Sequence, residues 1–156
     1  MQRILIVIAA LGSAGLLLGA LGFQYLGDMA PCKMCYWQRY PHAAAVGIGG
    51  LALLFGGALL PWLGALAALT TAGIGVYHTG VERGFWEGPT TCTSGPVTDL
   101  TPQQLMEQIM TAPLARCDEV PWEMFTLSMA SWNAIASFGL AAVWIAVANH
   151  ARKGRG

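Results

Sequence analysis

Cys32 and Cys35 are separated by two residues, Arg39 follows four residues later, and two further cysteines, Cys92 and Cys117, stand in the one long polar stretch of the chain. Thiols spaced in this way can pass electrons. A C-x-x-C pair closes into a tight, reducible disulfide, and a neighbouring cation lowers a thiol pKa so that the reactive thiolate is populated. If a helix begins near Cys35, then Cys35 and Arg39 lie one turn apart on one face, and Cys35 meets the positive end of the helix dipole. Competing readings of the cysteines fit less well. Two inert staples leave unexplained why one pair is so closely spaced and hence strained and reducible. A zinc site needs four thiolates or histidines at ligand spacing, and only one C-x-x-C is present, so no metal is expected. Haem attachment needs His at position 36, where Tyr36 stands.

The elements that must carry these thiols are apolar helices. Of 156 residues, 55% are hydrophobic and 10% charged, with mean hydropathy +0.53, which excludes an ordinary soluble domain or a nucleic-acid binder. Residues 4 to 27, 40 to 81 and 124 to 151 contain no Asp, Glu, Lys or Arg. A membrane-crossing helix needs about 20 apolar residues. The outer two stretches therefore hold one helix each, and the middle one holds two, broken near Gly56, Gly57 and Pro61. The expected fold is a single all-α membrane domain over 1-156, a bundle of four transmembrane helices at Ile4–Leu26, Pro41–Leu60, Pro61–Val81 and Met124–Ala148. A secretory signal at the N-terminus is disfavoured, because the apolar run is longer than a signal core and no A-x-A site follows it.

Four spans put both termini on one side and the loops at 27-40 and 82-123 on the other. Lys and Arg divide equally between the sides, but Arg152, Lys153 and Arg155 sit together after the last helix, which favours cytoplasmic termini. All four cysteines then fall in outward loops, where disulfides persist. Within the second loop, Thr101, Pro102 and Gln104 match a capping box, and Leu105, Met106, Ile109 and Met110 make an apolar stripe. This predicts a short amphipathic helix lying on the membrane surface. Cys92 and Cys117 bracket it, and the loop is long enough for it to fold back so that they could bond. On the first helix, Gly15 and Gly19 form a G-x-x-x-G, read as a surface for helix packing inside the bundle, as are Ala68 and Ala72 on the third helix.

A thiol pair at a membrane surface needs an acceptor that lives in the membrane, and a lipid-soluble quinone suits a two-electron dithiol. Arg39 is placed to stabilise charge on thiolate and quinone oxygen. His78, near the outer end of the third helix, shares that depth, and ionisable residues inside a membrane are functional candidates. His42 is a weaker candidate, and His150 reads as a cytoplasmic boundary residue. Most of the Trp and Tyr residues fall near predicted helix ends, as interface anchors do.

Pro31-Cys32-x-x-Cys35 followed by Gln38-Arg39, the later Cys92 and Cys117, and Tyr77-His78-Thr79 together resemble the disulfide bond formation protein B family of bacterial inner-membrane thiol:quinone oxidoreductases. The likeness spans nearly the whole chain and is most specific from Pro31 to Arg39. It implies a relay. A periplasmic thioredoxin-like dithiol oxidase (DsbA-like) would attack a Cys92–Cys117 disulfide at Cys92, Cys117 would exchange with Cys32, and Cys35 would meet the quinone beside Arg39 and His78. Ubiquinone is favoured over menaquinone. In that family such a relay keeps the bacterial periplasm oxidising. The chain departs from the family pattern at Glu123-Met124-Phe125-Thr126, before the fourth helix. Two alternatives are a disulfide-stapled membrane assembly protein without turnover and a vitamin K epoxide reductase-like enzyme, although in the latter the C-x-x-C sits near the end of the bundle.

Overall fold

The computed structural model describes residues 1-89, 101-111 and 115-153. Four long helices dominate it: α1 (Gln2–Tyr25), α2 (Lys33–Phe55), α3 (Leu59–Glu82) and α5 (Met129–Lys153). Between α3 and α5 come the short helix α4 (Pro102–Thr111) and a minimal hairpin, β1 (Glu123–Met124) and β2 (Leu127–Ser128). α1 packs on α2 and α5, and α3 packs on the same two, so the long helices form a ring in the order α1, α2, α3, α5.

Two buried clusters show how the chain alternates. Ile6 and Ala9 of α1, Ala52 of α2, Ala65 and Ala68 of α3, and Ala141, Trp144 and Val147 of α5 make one core at the end that holds both termini. Cys32, Met34, Val81 and Cys117 make the other, at the loop end. Trp144 is fully buried, and the fit depends on small residues opposite it. A Cβ added at Gly64 would come within 2.6 Å of the indole ring. Gly64→Ala is therefore expected to cost about 1–3 kcal/mol by overpacking, read as a lower unfolding midpoint in detergent. An unchanged midpoint would mean the ring has room to move.

The outward faces are apolar, with Leu11, Leu18, Leu54, Leu66 and Ile135 exposed, as in helices solvated by lipid rather than water. By length and composition, α1, α3 and α5 can each cross a membrane. α2 is as long but less apolar, because its first ten residues include Lys33, Gln38, Arg39 and His42. The helix that carries the motif is thus the least apolar of the four long ones.

Several boundaries differ from expectation for identifiable reasons. α2 starts at Lys33 rather than Pro41, because Cys32 acts as its N-cap, its sulfur accepting the Cys35 backbone N–H at 3.2 Å. Pro41 then lies inside the helix and leaves the Trp37 carbonyl without its usual N–H. The α2–α3 break does fall at Gly56 and Gly57, whose φ angles are 68° and 88°, a region that suits glycine. α5 starts at Met129 rather than Met124. Phe125 and Thr126, with φ of 53° and 63°, make the tight turn of the hairpin, and Met124 pairs with Leu127. Ser128 then opens α5 in the manner of a helix cap, its hydroxyl accepting the Ser131 N–H at 3.2 Å and donating to Glu82. This hairpin occupies the segment that departs from the family pattern.

The G-x-x-x-G reading is corrected. A Cβ built at Gly15 or Gly19 meets nothing within 4 Å, so neither glycine is pressed against a neighbouring helix. Ala68 and Ala72 are fully buried, as the packing reading requires. The capping box of α4 forms in both directions. The Gln104 N–H donates to Thr101 Oγ1 at 3.3 Å, and Gln104 Oε1 accepts the Thr101 N–H at 2.9 Å.

Candidate functional site

Capping places the first thiol. Cys32 is drawn onto the start of α2 by the Cys35 N–H, which leaves the two sulfurs 2.8 Å apart. Both are free thiols, Cys32 buried and Cys35 half-buried. α3 supplies His78, whose Nε2 lies 3.6 Å from Cys32 Sγ and 3.9 Å from Glu82 Oε1. The His78 ring also meets the Cys117 backbone. Cys117 is fully buried in the same cluster as Cys32 and is disulfide-bonded. Cys92 lies outside the described residues.

Arg39 sits one turn beyond Cys35, as the spacing requires. Its guanidinium reaches across to α1, donating to Gln24 Oε1 at 2.6 Å and to the Ala20 carbonyl at 3.2 Å, with the Tyr36 ring 5.2 Å away. Nε remains. It is buried and has no hydrogen-bond partner among the described residues, and an unsatisfied buried donor costs about 1–3 kcal/mol unless something completes it.

These groups open on one cavity of about 620 Å³, lined by Cys32, Cys35, Gln38, Arg39, His42 and His78 on its polar side. Leu16, Leu17, Phe23, Met129 and Trp132 supply apolar wall, and Gly15 and Gly19 supply the open face of α1. The glycines therefore make space rather than contact. At the loop side, Arg116 also lines the cavity and pairs with Asp118 at 2.6 Å, which holds the Asp118 carboxyl below its usual range.

Pro31, Cys32, Cys35, Gln38 and Arg39, the residues that carry the sequence resemblance, all line this cavity. The chain matches the family Disulfide bond formation protein DsbB over residues 2–147. It belongs to the DsbB family. Among curated relatives, the disulfide bond formation protein B of Idiomarina loihiensis is 32% identical over 153 residues, covering 88% of this chain and 79% of the relative. That of Vibrio vulnificus is 32% identical over 129 residues, covering 77% and 73%. That of Stutzerimonas stutzeri is 26% identical over 151 residues, covering 90% and 91%. No solved structure matches the chain. A helical membrane protein of disulfide formation is what the DsbB family and the apolar helices together establish.

Sequence reasoning missed several members of the site. Asn133 and Thr71 bond Gln38, Gln24 bonds Arg39 and Glu82 lies beside His78, and Gln38 appeared only as part of a motif. The available signal was polarity inside otherwise apolar helices, which is costly in a bilayer and rarely idle. His42, the weaker candidate, lines the cavity and bonds Asn133 Oδ1 through Nε2 at 2.9 Å.

Proposed function

We propose that this DsbB-family chain is a thiol:quinone oxidoreductase of the bacterial inner membrane that reoxidises a periplasmic thioredoxin-like dithiol oxidase. The observation that carries this reading is that Cys35, Arg39 and His78 line one apolar-walled cavity. In the membrane α2 is the fourth crossing, the termini are cytoplasmic, the cysteine loops are periplasmic, and α4 lies on the outer surface. Exposed Met106 and Met110 suit that placement.

The partner's dithiol attacks the Cys92–Cys117 disulfide at Cys92, and a second exchange leaves the partner oxidised and Cys92 and Cys117 as thiols. Cys117 then attacks Cys32, which breaks the Cys32–Cys35 disulfide and leaves a thiolate on Cys35. Cys92 closes back on Cys117 and releases Cys32. The loop pair is then oxidised again, and the two electrons reside on Cys32 and Cys35. That Cys117 and Cys32 share one buried cluster supports the exchange. A quinone, ubiquinone in preference to menaquinone, supplies a two-electron, two-proton acceptor when bound. Arg39 and His78 would hold its oxygens, and the apolar wall excludes water from the thiolate.

The test is anaerobic turnover of purified protein with reduced partner oxidase and a soluble ubiquinone analogue, followed optically, with a menaquinone analogue in parallel. One quinone should be reduced for each partner disulfide formed. Partner oxidation that does not depend on quinone would overturn the reading.

A further inference from the structure

Behind the thiols, a chain of buried polar side chains runs between α2, α3 and α5, and its hydrogen-bond directions can be worked out from two fixed points. The first is the Met34 backbone carbonyl, which can only accept. The Gln38 side-chain atom 3.3 Å from it is therefore the amide nitrogen. That nitrogen lies 2.9 Å from His78 Nδ1, so Nδ1 must be the ring nitrogen without a proton. The second fixed point is Thr71. Its hydroxyl donates its one hydrogen to the Gln38 backbone carbonyl at 3.0 Å, so the Asn133 atom 3.1 Å from Thr71 Oγ1 must be a donor.

That Asn133 nitrogen also donates to Gln38 Oε1 at 2.8 Å. The Met34 carbonyl on α2 thus fixes the Gln38 amide and, through Gln38 Oε1, the Asn133 amide, and the Thr71 hydroxyl on α3 agrees with that orientation. Turning the pair would set the Gln38 oxygen against the Met34 carbonyl and cost Thr71 its bond to the Gln38 backbone. Asn133 Oδ1 is left to accept from His42 Nε2, so every polar atom of Asn133 is used.

A neutral imidazole carries one N–H. With Nδ1 accepting, the hydrogen of His78 is on Nε2, the nitrogen that faces Cys32 Sγ at 3.6 Å. We infer that Gln38, clamped by Asn133, is a positioning residue that holds His78 as the Nε2–H tautomer, with that hydrogen on the side of the Cys32 sulfur and shared with the Cys117 backbone that the ring also meets. Cys32 Sγ then receives two donors, this one and the Cys35 backbone N–H. Both stabilise the thiolate released when Cys92 closes on Cys117 and the Cys32–Cys117 bond breaks, and a stabilised thiolate is a faster leaving group. The catalytic consequence rests on the proposed function, whereas the tautomer does not.

The same geometry speaks against a metal at this point. The ligand atoms of Cys32, Cys35 and His78 lie within 4.8 Å of one another, but a protonated Nε2 cannot ligate, and freeing it would require both amides to turn.

Ring 15N NMR of the full-length protein in micelles, with labelled histidine and the signals assigned through His42 and His150 substitutions, reads the tautomer directly. Wild type should show His78 protonated at Nε2 alone; protonation at Nδ1 would overturn the inference without any variant. Gln38→Glu offers only acceptors to Nδ1, so the hydrogen should move to Nδ1. Partner-dependent quinone turnover should fall by roughly 10- to 100-fold, comparable to losing a partner that orients a metal-bound imidazole. A Gln38→Glu protein that keeps Nε2–H, or turns over normally with the hydrogen moved, refutes the positioning role. Asn133→Leu should leave His78 sampling both tautomers, and a single Nε2–H species there would remove Asn133 from the clamp. Quinone turnover failing in wild type while the tautomer is as described would sink the proposed function and leave the clamp standing.

Discussion

Cys35→Ala is expected to reduce quinone-dependent oxidation of the partner to the uncatalysed level while the bundle stays folded. Cys35 is half-buried and lines the cavity, at the edge of the cluster of Cys32, Met34, Val81 and Cys117 rather than inside it. Truncation to Ala removes one sulfur and costs about 1 kcal/mol or less in stability, as for substitutions outside a packed core. The backbone N–H that caps Cys32 is untouched, so α2 keeps its start. Far-ultraviolet circular dichroism and the unfolding midpoint should therefore match wild type, and optical quinone assays should show no partner-dependent reduction. A disulfide staple predicts the reverse pattern, with stability lost and turnover never present. Residual turnover in Cys35→Ala near the wild-type rate would remove Cys35 from the electron path.

How much was legible in the sequence varied with the range of the interactions involved. Charge-free stretches located the long helices, because exclusion of charge is a local demand of a bilayer. The ends were harder, since Cys32 caps α2 with a sulfur and Phe125 and Thr126 turn in a conformation that glycine or asparagine usually signals. Cys32, Cys35 and Arg39 were legible because their spacing alone puts them on one helical face. The clamp was not. Gln38, Thr71 and Asn133 meet only through α2, α3 and α5 packing together, at separations of 33 and 95 residues. Gly15 and Gly19 show the opposite failure: a local pattern was clear, but whether small residues admit a helix or leave a cavity depends on what stands opposite.

Arg39→Ala is expected to lower quinone use by about 10- to 150-fold, from the loss of a charged hydrogen bond worth about 1.5–3 kcal/mol, with little effect on exchange at the loop cysteines. Two of the three guanidinium nitrogens are committed to α1, at Gln24 and the Ala20 carbonyl. They fix the plane of the fork against α1, which holds the guanidinium in the cavity wall. An oxygen of a bound quinone would meet the charge of that guanidinium. Arg39→Lys separates charge from geometry. Lysine keeps the cation but has no fork with which to grip α1 and hold its charge in place, so quinone use should recover only in part. Steady-state kinetics with varied quinone measures the effect, and single-turnover disulfide exchange with the reduced partner measures the step that should be spared. Equal losses in both would make Arg39 a tether between α1 and α2 and nothing more, and an unchanged quinone KM and turnover would remove Arg39 from the quinone site.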